Sequence, residues 1–300
     1  MLEALFQQFG FQMKVAQITR GPLRGQLCAT RSAGGLLLQL TTNQCLSCSG
    51  NRNQRWLAIA LKQTDNLEMH RLRGEPVQPC SVQGFNRNLT ESIWQVSPHS
   101  HLSLLVVPVQ RILDLIALEP SSKLQGVIDT SNVVTFQPRH FQTLKTFLLS
   151  DEIHEAPARD TLDALLVECF MQPDNISDAG IPLSSRAELT NDLLNYGFSN
   201  PSEAISLKDL SKTLLKSSSS ITKASREQFG VSPMQLLKQI RLQQVQRLLM
   251  DPEQQHELGT HSISAIAQRF GFTAPNHFAR DYRRMFWESP RQTLKLTGAA

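Results

Sequence analysis

Residues 262–291 read Ser262-Ile-Ser-Ala-Ile-Ala-Gln-Arg-Phe-Gly-Phe-Thr-Ala-Pro-Asn-His-Phe-Ala-Arg-Asp-Tyr-Arg-Arg-Met-Phe-Trp-Glu-Ser-Pro-Arg291. Ser262 is an N-cap candidate, because its hydroxyl can accept from the free N–H groups of a first helical turn. Ile263, Ile266, Ala267 and Phe270 then recur at helical spacing and predict one buried stripe. Gly271 follows where the chain must leave the helix through positive φ. A second helix is expected from Ala274–Pro275, since proline suits a first turn. Its inner side carries Phe278, Tyr282, Met285 and Phe286; its outer side carries Asn276, His277, Arg280, Arg283 and Arg284. Two short helices joined by a glycine turn, the second basic on one face, follow the helix-turn-helix plan.

The pattern occurs twice. Ser206-Leu-Lys-Asp-Leu-Ser-Lys-Thr-Leu214 matches Ser262–Phe270 at each apolar step, and Phe229-Gly-Val-Ser-Pro233 matches Phe286-Trp-Glu-Ser-Pro290, at offsets of 56 and 57. Both units exit through Ser-Pro-x-Gln (Ser232–Gln235 and Ser289–Gln292), which predicts a capping box with proline at the first helical position. Chance agreement of apolar spacing is common, but spacing, caps and unit length agree together here. A leading helix is expected over Arg186–Phe198. A rod over Pro233–Met250 joins the units, about 27 Å long at 1.5 Å per residue. That length suits modules placed about one turn of DNA, roughly 34 Å, apart. Asp251–His261 reads as a loop.

The run I-x-x-I-A-x-x-x-G-F-x-x-x-x-x-F-x-R-x-[FY]-R-R-x-F-x-x-S-P, over Ile263–Pro290, resembles the signature of the AraC/XylS family of bacterial transcription regulators. The resemblance implies an all-α DNA-binding domain of two helix-turn-helix units over residues 184–300. It also implies a sensor or dimerisation domain in front, a small-molecule effector, RNA polymerase as a partner, and a homodimer. The expected function is a sequence-specific DNA-binding regulator, an activator more often than a repressor. One helix around Ser219–Gln228 and another around Pro275–Arg284 would enter successive major grooves. In the second unit Asn276, His277 and Arg280, beside Pro275, are the candidate base readers. Arg283 and Arg284, one turn on, suit phosphates, and Arg269 and Arg291 flank the unit.

The first unit departs from the family pattern. Ser217-Ser-Ser-Ser-Ile-Thr-Lys-Ala-Ser-Arg-Glu-Gln228 places Ser225 where a core phenylalanine is usual and Ser219 where arginine is common. A looser first recognition helix is the expectation, with Ser219, Ser220, Thr222, Lys223 and Arg226 as contact candidates. Trp287 stands where the family usually has glycine, a departure shared by regulators of ethanolamine operons, so the C-terminal part is most similar to that type.

Composition agrees with such a division. From Ser184 onward 15 Lys and Arg face 10 Asp and Glu, whereas residues 1–183 hold 15 against 16. A near-neutral front and a basic back suit a sensor joined to a polyanion-binding module. No apolar run approaches the roughly 18–20 residues that span a bilayer. The N-terminus lacks a basic stretch followed by an apolar core, so a cytoplasmic protein without membrane contact is expected. The five cysteines (Cys28, Cys45, Cys48, Cys80, Cys169) are odd in number and read as reduced thiols.

The fold class expected overall is α+β. Residues 1–20 suggest a short amphipathic helix. Gly25–Arg31, Gly35–Thr42, Gln54–Leu61, Thr90–Val96 and His101–Val107 are short apolar or alternating runs between Gly, Ser, Asn and Pro clusters, which predicts strands of a small sandwich or cupin-like barrel. From about residue 109 the spacing turns helical, over Arg111–Leu118, Pro138–Leu149 and Arg159–Met171. The last pair would serve as connector or dimerisation surface, or would pack on its own domain. Gln172–Ser185 has linker composition, which sets the domain boundary at 183/184.

No catalytic group or cofactor site is expected. Cys45-x-x-Cys48 lacks the second pair that a zinc site needs. His99-Ser-His101 lies beside strand-like residues and supports the competing class, a cupin-type metalloenzyme or metal sensor, only if a matched carboxylate joins it. Pro79-Cys80-Ser81-Val82 lacks the His-Arg that follows the acceptor cysteine of alkyl-transfer DNA repair regulators. Nucleophile-elbow and phosphate-loop motifs are missing from the sequence.

Overall fold

A computed structural model describes residues 3, 6–7, 11–118, 124–155, 157–171, 173–177, 181–202, 205–260 and 262–296. Alternation builds the front half. In β5 (Trp56–Lys62), Leu57, Ile59 and Leu61 are buried on one face, while Ala58 and Ala60 face the other way. The neighbouring β10 (Ser100–Pro108) divides likewise, with Leu105 and Val107 on the first face and Leu102, Leu104 and Val106 on the second. β5 and β10 pair antiparallel, flanked by β3 (Gly35–Thr42) and β2 (Gly25–Ser32) on one side and by β8 (Ser81–Gln83), β11 (Val133–Thr135) and β12 (Asn175–Ser177) on the other.

A second antiparallel sheet runs in the order β1 (Met13–Gln17), β4 (Leu46–Asn51), β9 (Glu91–Val96), β6 (Arg71–Leu72) and β7 (Glu75–Pro76). At one end the sheets pack through Val15, Leu40, Leu46, Cys48, Val96 and Leu102. Elsewhere they enclose a cavity of about 1590 Å³, where β5 contributes the small side chains of Ala58 and Ala60 beside Trp56 and Leu57.

Helices cover the outer face of the seven-stranded sheet. These are α1 (Val109–Leu118), α2 (Leu124–Thr130), α3 (Pro138–Phe147) and α4 (Ala158–Met171). Phe141, Leu144, Phe147 and Leu148 share one core with Leu162, Leu166, Cys169 and Phe170, and with Leu57, Ile59 and Leu105 of the sheet. Burying each such side chain contributes about 1.5–3 kcal/mol. The expected helical pair therefore packs on its own domain. Arg111, buried in α1, ties this layer together: it donates to Asp163 of α4 at 2.5 and 2.9 Å and to the Ala33 carbonyl.

Four expectations need correction. Residues 13–17, placed in a short N-terminal helix, form β1 along β4; of the rest of that stretch, 1–2, 4–5 and 8–10 lie outside the described residues. The region after residue 109 is not wholly helical, since β11 intervenes. The stretch read as linker contains β12, whose Asn175, Ile176 and Ser177 extend the sheet beside β11; residues 172 and 178–180 of it lie outside the described residues. Asp251–His261 is not a bare loop: Asp251 accepts from the Gln254 N–H and Pro252 opens a short helix, Pro252–Glu257. His261 lies outside the described residues.

The back half is helical. α5 (Ser185–Ser199) leads into α6 (Leu207–Thr213) and α7 (Ser218–Phe229), and α8 (Pro233–Leu249) follows. After α9 (Pro252–Glu257) come α10 (Ile263–Arg269), α11 (Pro275–Phe286) and α12 (Pro290–Lys295). The repeat is structural: α6 and α10 have seven residues each, and α7 and α11 twelve each. Each unit has its own core, and α8 contributes to both, Leu236, Leu237 and Ile240 to the first and Leu242, Val245, Leu248 and Leu249 to the second.

Candidate nucleic-acid interface

Local chemistry sets both helix pairs. Ser206, Ser217, Ser232, Ser262 and Ser289 each accept from the backbone N–H three residues on, as N-caps. The reciprocal capping box forms at Ser289–Gln292, whereas at Ser232 the structure shows the forward bond from Gln235 N at 3.4 Å. Gly271 turns at φ +77°, and a β-carbon there would lie 2.5 Å from the Ser202 carbonyl oxygen, so only glycine fits.

In α11 the inner stripe is aromatic. Phe272 and Phe278 lie 5.2 Å apart between ring centres, Phe278 and Tyr282 5.6 Å, and Tyr282 and Phe286 4.7 Å. The fully buried Tyr282 hydroxyl meets Thr293 Oγ1 at 2.8 Å, and burial raises its pKa. With the rings inside, Pro275, Asn276, His277, Arg280, Arg283 and Arg284 are all exposed on the outer side. The helix has a single acid, Asp281, and Lys238 of α8 binds it at 3.0 Å. Among the described residues, none of Arg269, Arg280, Arg283, Arg284 and Arg291 is in an ion pair.

The first unit repeats this electrostatic plan. On α7, Arg186 of α5 holds Glu227 at 2.6 Å, and Ser219, Ser220, Lys223 and Arg226 are exposed. Thr222 is half-buried and its hydroxyl donates to the Ser218 carbonyl at 2.7 Å, so it is already engaged. Ser220 likewise shares a 2.8 Å bond with Ser217. Ser225, expected to loosen the helix, does not leave a hole. It is fully buried and donates to the Val231 carbonyl at 2.8 Å, pinning α7 to the turn that follows.

Several contributors escaped the sequence reading. Lys238 and Arg186 bind the acids of α11 and α7, and only tertiary packing brings them there. Gln243 and Arg247 of α8 grip the edge strand β1. Gln243 accepts from Gln17 N at 2.7 Å and donates to Gln17 O at 2.8 Å, while Arg247 donates to Val15 O at 2.6 Å and pairs with Glu3 at 2.9 Å. The end of α11 is held too: Gly21 N donates to Met285 O at 2.7 Å. Trp287, left-handed at φ +59°, lies close enough that a β-carbon on Gly21 would sit 3.6 Å from its ring.

Residues 210–296 match a family model described as a helix-turn-helix domain. This region is a helix-turn-helix domain. A curated relative, the XylDLEGF operon transcriptional activator 2 of Pseudomonas putida, is 31% identical over 97 residues. Those residues are 32% of this chain, and the chain spans 59% of the relative's length. Among solved structures, a probable AraC family transcriptional regulator from Rhodopseudomonas palustris is similar at 33% identity, over 37% of this chain and 97% of that one, with a TM-score of 0.32. The AraC-like transcriptional activator CuxR aligns at 14% identity over 82% of this chain and 89% of its own, with a TM-score of 0.39. The helix-turn-helix match includes α7, α8, α10 and α11, and with them each outward cation described above.

Proposed function

We propose that this protein is a sequence-specific DNA-binding transcription regulator of the AraC/XylS type. The observation that carries the reading is the sorting of charge on α11: aromatic side chains fill the core, the one acid is bound by Lys238, and the outward arginines have no acidic partner among the described residues. Such a face matches the phosphate backbone and the acceptor edges of guanine. α7 offers Lys223 and Arg226 on a helix of the same length, so the two helices would enter successive major grooves. Asn276, His277 and Arg280 with Pro275 meet bases; Arg283 and Arg284 meet phosphate; Ser219, Ser220 and Thr222 make lesser contacts in the first unit.

On this reading residues 184–300 bind DNA and residues 1–183 sense an effector or pair with a second copy. Activation, through contact with RNA polymerase, is the expected outcome, in the cytoplasm of a bacterium. The activator role of the Pseudomonas relative supports that direction. The narrower likeness to ethanolamine-operon regulators rests on Trp287 alone, and the relative named above is of another operon. No helix of the described residues is long and apolar enough to cross a membrane. The reading requires no catalytic residue and no cofactor.

The metal reading gains nothing from the geometry. His101 is engaged by Gln39 Oε1 at 2.9 Å, His99 sits exposed in a turn, and no metal-competent cluster of His, Cys, Asp or Glu occurs among the described residues. Titration of labelled duplexes with the full chain across a salt series tests the proposal. Affinity should fall steeply with salt, with a log–log slope of several units, and the triple substitution Arg280→Ala, Arg283→Ala, Arg284→Ala should flatten it. A slope near zero in the native chain would remove the basis of the reading.

A further inference from the structure

The front half segregates its charge along the chain. Residues 1–64 hold seven Lys and Arg against one acid, Glu3, whereas residues 65–183 hold eight against fifteen. A loop of the basic stretch, residues 19–24, meets the second helix-turn-helix unit. Gly21 N donates to Met285 O at 2.7 Å, at the C-terminal end of α11. The loop is braced from behind. Gln17 Nε2 donates to the Thr19 and Gly21 carbonyls at 2.9 and 2.7 Å, and Asn43 Nδ2 and Gln44 Nε2 donate to the Pro22 carbonyl at 3.0 and 3.2 Å. Asn43 also accepts from Arg24 N at 2.7 Å and donates to Arg24 O at 3.0 Å. A loop fixed in this way presents its side chains at little further ordering cost.

Arg20 is half-buried and Arg24 exposed, and neither is in an ion pair among the described residues. The acids on the other side of the contact are engaged: Asp281 by Lys238, and Glu288 Oε1 by Gln246 Nε2 at 3.2 Å and Thr293 Oγ1 at 2.7 Å. The docked loop thus adds two cations to the end of α11 that carries Arg283 and Arg284, with Arg291 just beyond. Like charges gathered at one end of a helix repel, and a polyanion laid across them relieves the repulsion. We propose that residues 19–24 form a DNA-backbone contact belonging to the front domain itself, with Arg20 and Arg24 each on a phosphate that flanks the groove α11 enters. The inference rests on the DNA-binding reading above and extends the contact beyond the helix-turn-helix domain.

Each phosphate contact contributes about 0.9 to the log–log salt slope of binding. In the full chain, Arg20→Gln with Arg24→Gln should therefore lower the slope by about two, weaken all duplexes alike, and remove the flanking phosphates from a hydroxyl-radical footprint. Arg20→Lys with Arg24→Lys keeps both charges and should hold the native slope. Arg31→Gln with Arg55→Gln makes the same change of charge at the far end of the seven-stranded sheet. Gly25, next to Arg24, pairs with Thr42, whereas Arg31 pairs with Leu36, six residues or about 20 Å along the strand. Arg55 precedes Trp56, at the Leu36 end of the sheet. At that distance, about two Debye lengths, the control should move the slope by less than about 0.5. A steep native slope that survives Arg20→Gln with Arg24→Gln, or an equal fall in the control, would overturn the loop contact and leave DNA binding by the helices standing. A native slope near zero would instead remove the regulator reading, and this inference with it.

Discussion

Arg280 and Arg284 lie one turn apart on the same exposed face, yet the proposal gives them different work. On that proposal Arg280, nearer the start of α11, would reach base edges, and Arg284 would reach the backbone. Arg280→Ala should weaken specific binding by about 1–3 kcal/mol and relax preference at one base position. Arg284→Ala should weaken all duplexes alike and lower the salt slope by about one. Gel shifts across salt concentrations separate the two, and identical behaviour would reject the assigned roles. His70 supports a prediction of another kind. It is wholly buried, and burial, followed by the Lys62 and Arg71 charges, pulls its imidazole from 6.5 to about 3. Because the folded pKa lies below the unfolded one, the neutral ring's contribution is complete above pH 6.5 and is lost as pH falls toward 3. Urea midpoints should decline over that window in the native protein and decline less in His70→Gln.

At the scale of elements, what was legible in the sequence depended on how far pattern and cap agreed. β2, β3, β5, β9 and β10 were readable because alternation and bounding turns coincide. β1 (Met-Lys-Val-Ala-Gln) and β4 (Leu-Ser-Cys-Ser-Gly-Asn) carry weak alternation, and each is a strand chiefly because the other lies beside it. β12 owes its existence to β11 in the same way. The helix-turn-helix units were legible almost to the residue, since serine caps, Pro275, Gly271 and aromatic spacing all state one answer. The salt links to Lys238 and Arg186 were not, because they join positions 43 and 41 residues apart. β5 itself makes a prediction. Leu61→Ala, on the helix-covered face, should cost about 2–5 kcal/mol. Ala60→Leu, facing the cavity one residue earlier, should cost less than about 1 kcal/mol, since space is already there. Urea unfolding at unchanged m-value checks both; equal losses would mean the cavity is not real.

Over the whole molecule, the two halves are joined by more than a linker. The exposed edge of β1 would present unpaired N–H and C=O groups, and the Gln243 amide satisfies one of each in a buried position. Arg247 takes a further carbonyl, and Ala16, Ile18 and Cys45 enter the same core as Leu193, Ile221 and Leu237. Burial pushes the Cys45 thiol up to about 12, in keeping with an inert packing role there. With this contact the halves should unfold in one calorimetric transition. Gln243→Ala together with Arg247→Ala strands buried polar groups at about 1–3 kcal/mol each and should split the transition into two. A split transition in the native protein would mean that the contact couples nothing. The central claim concerns what the joined molecule grips. Selection of duplexes from a random pool by the full chain, at physiological ionic strength, addresses it most directly. The account predicts enrichment of one asymmetric site with two blocks of preferred bases centred about ten base pairs apart; a pool that emerges with no preferred sequence would contradict it.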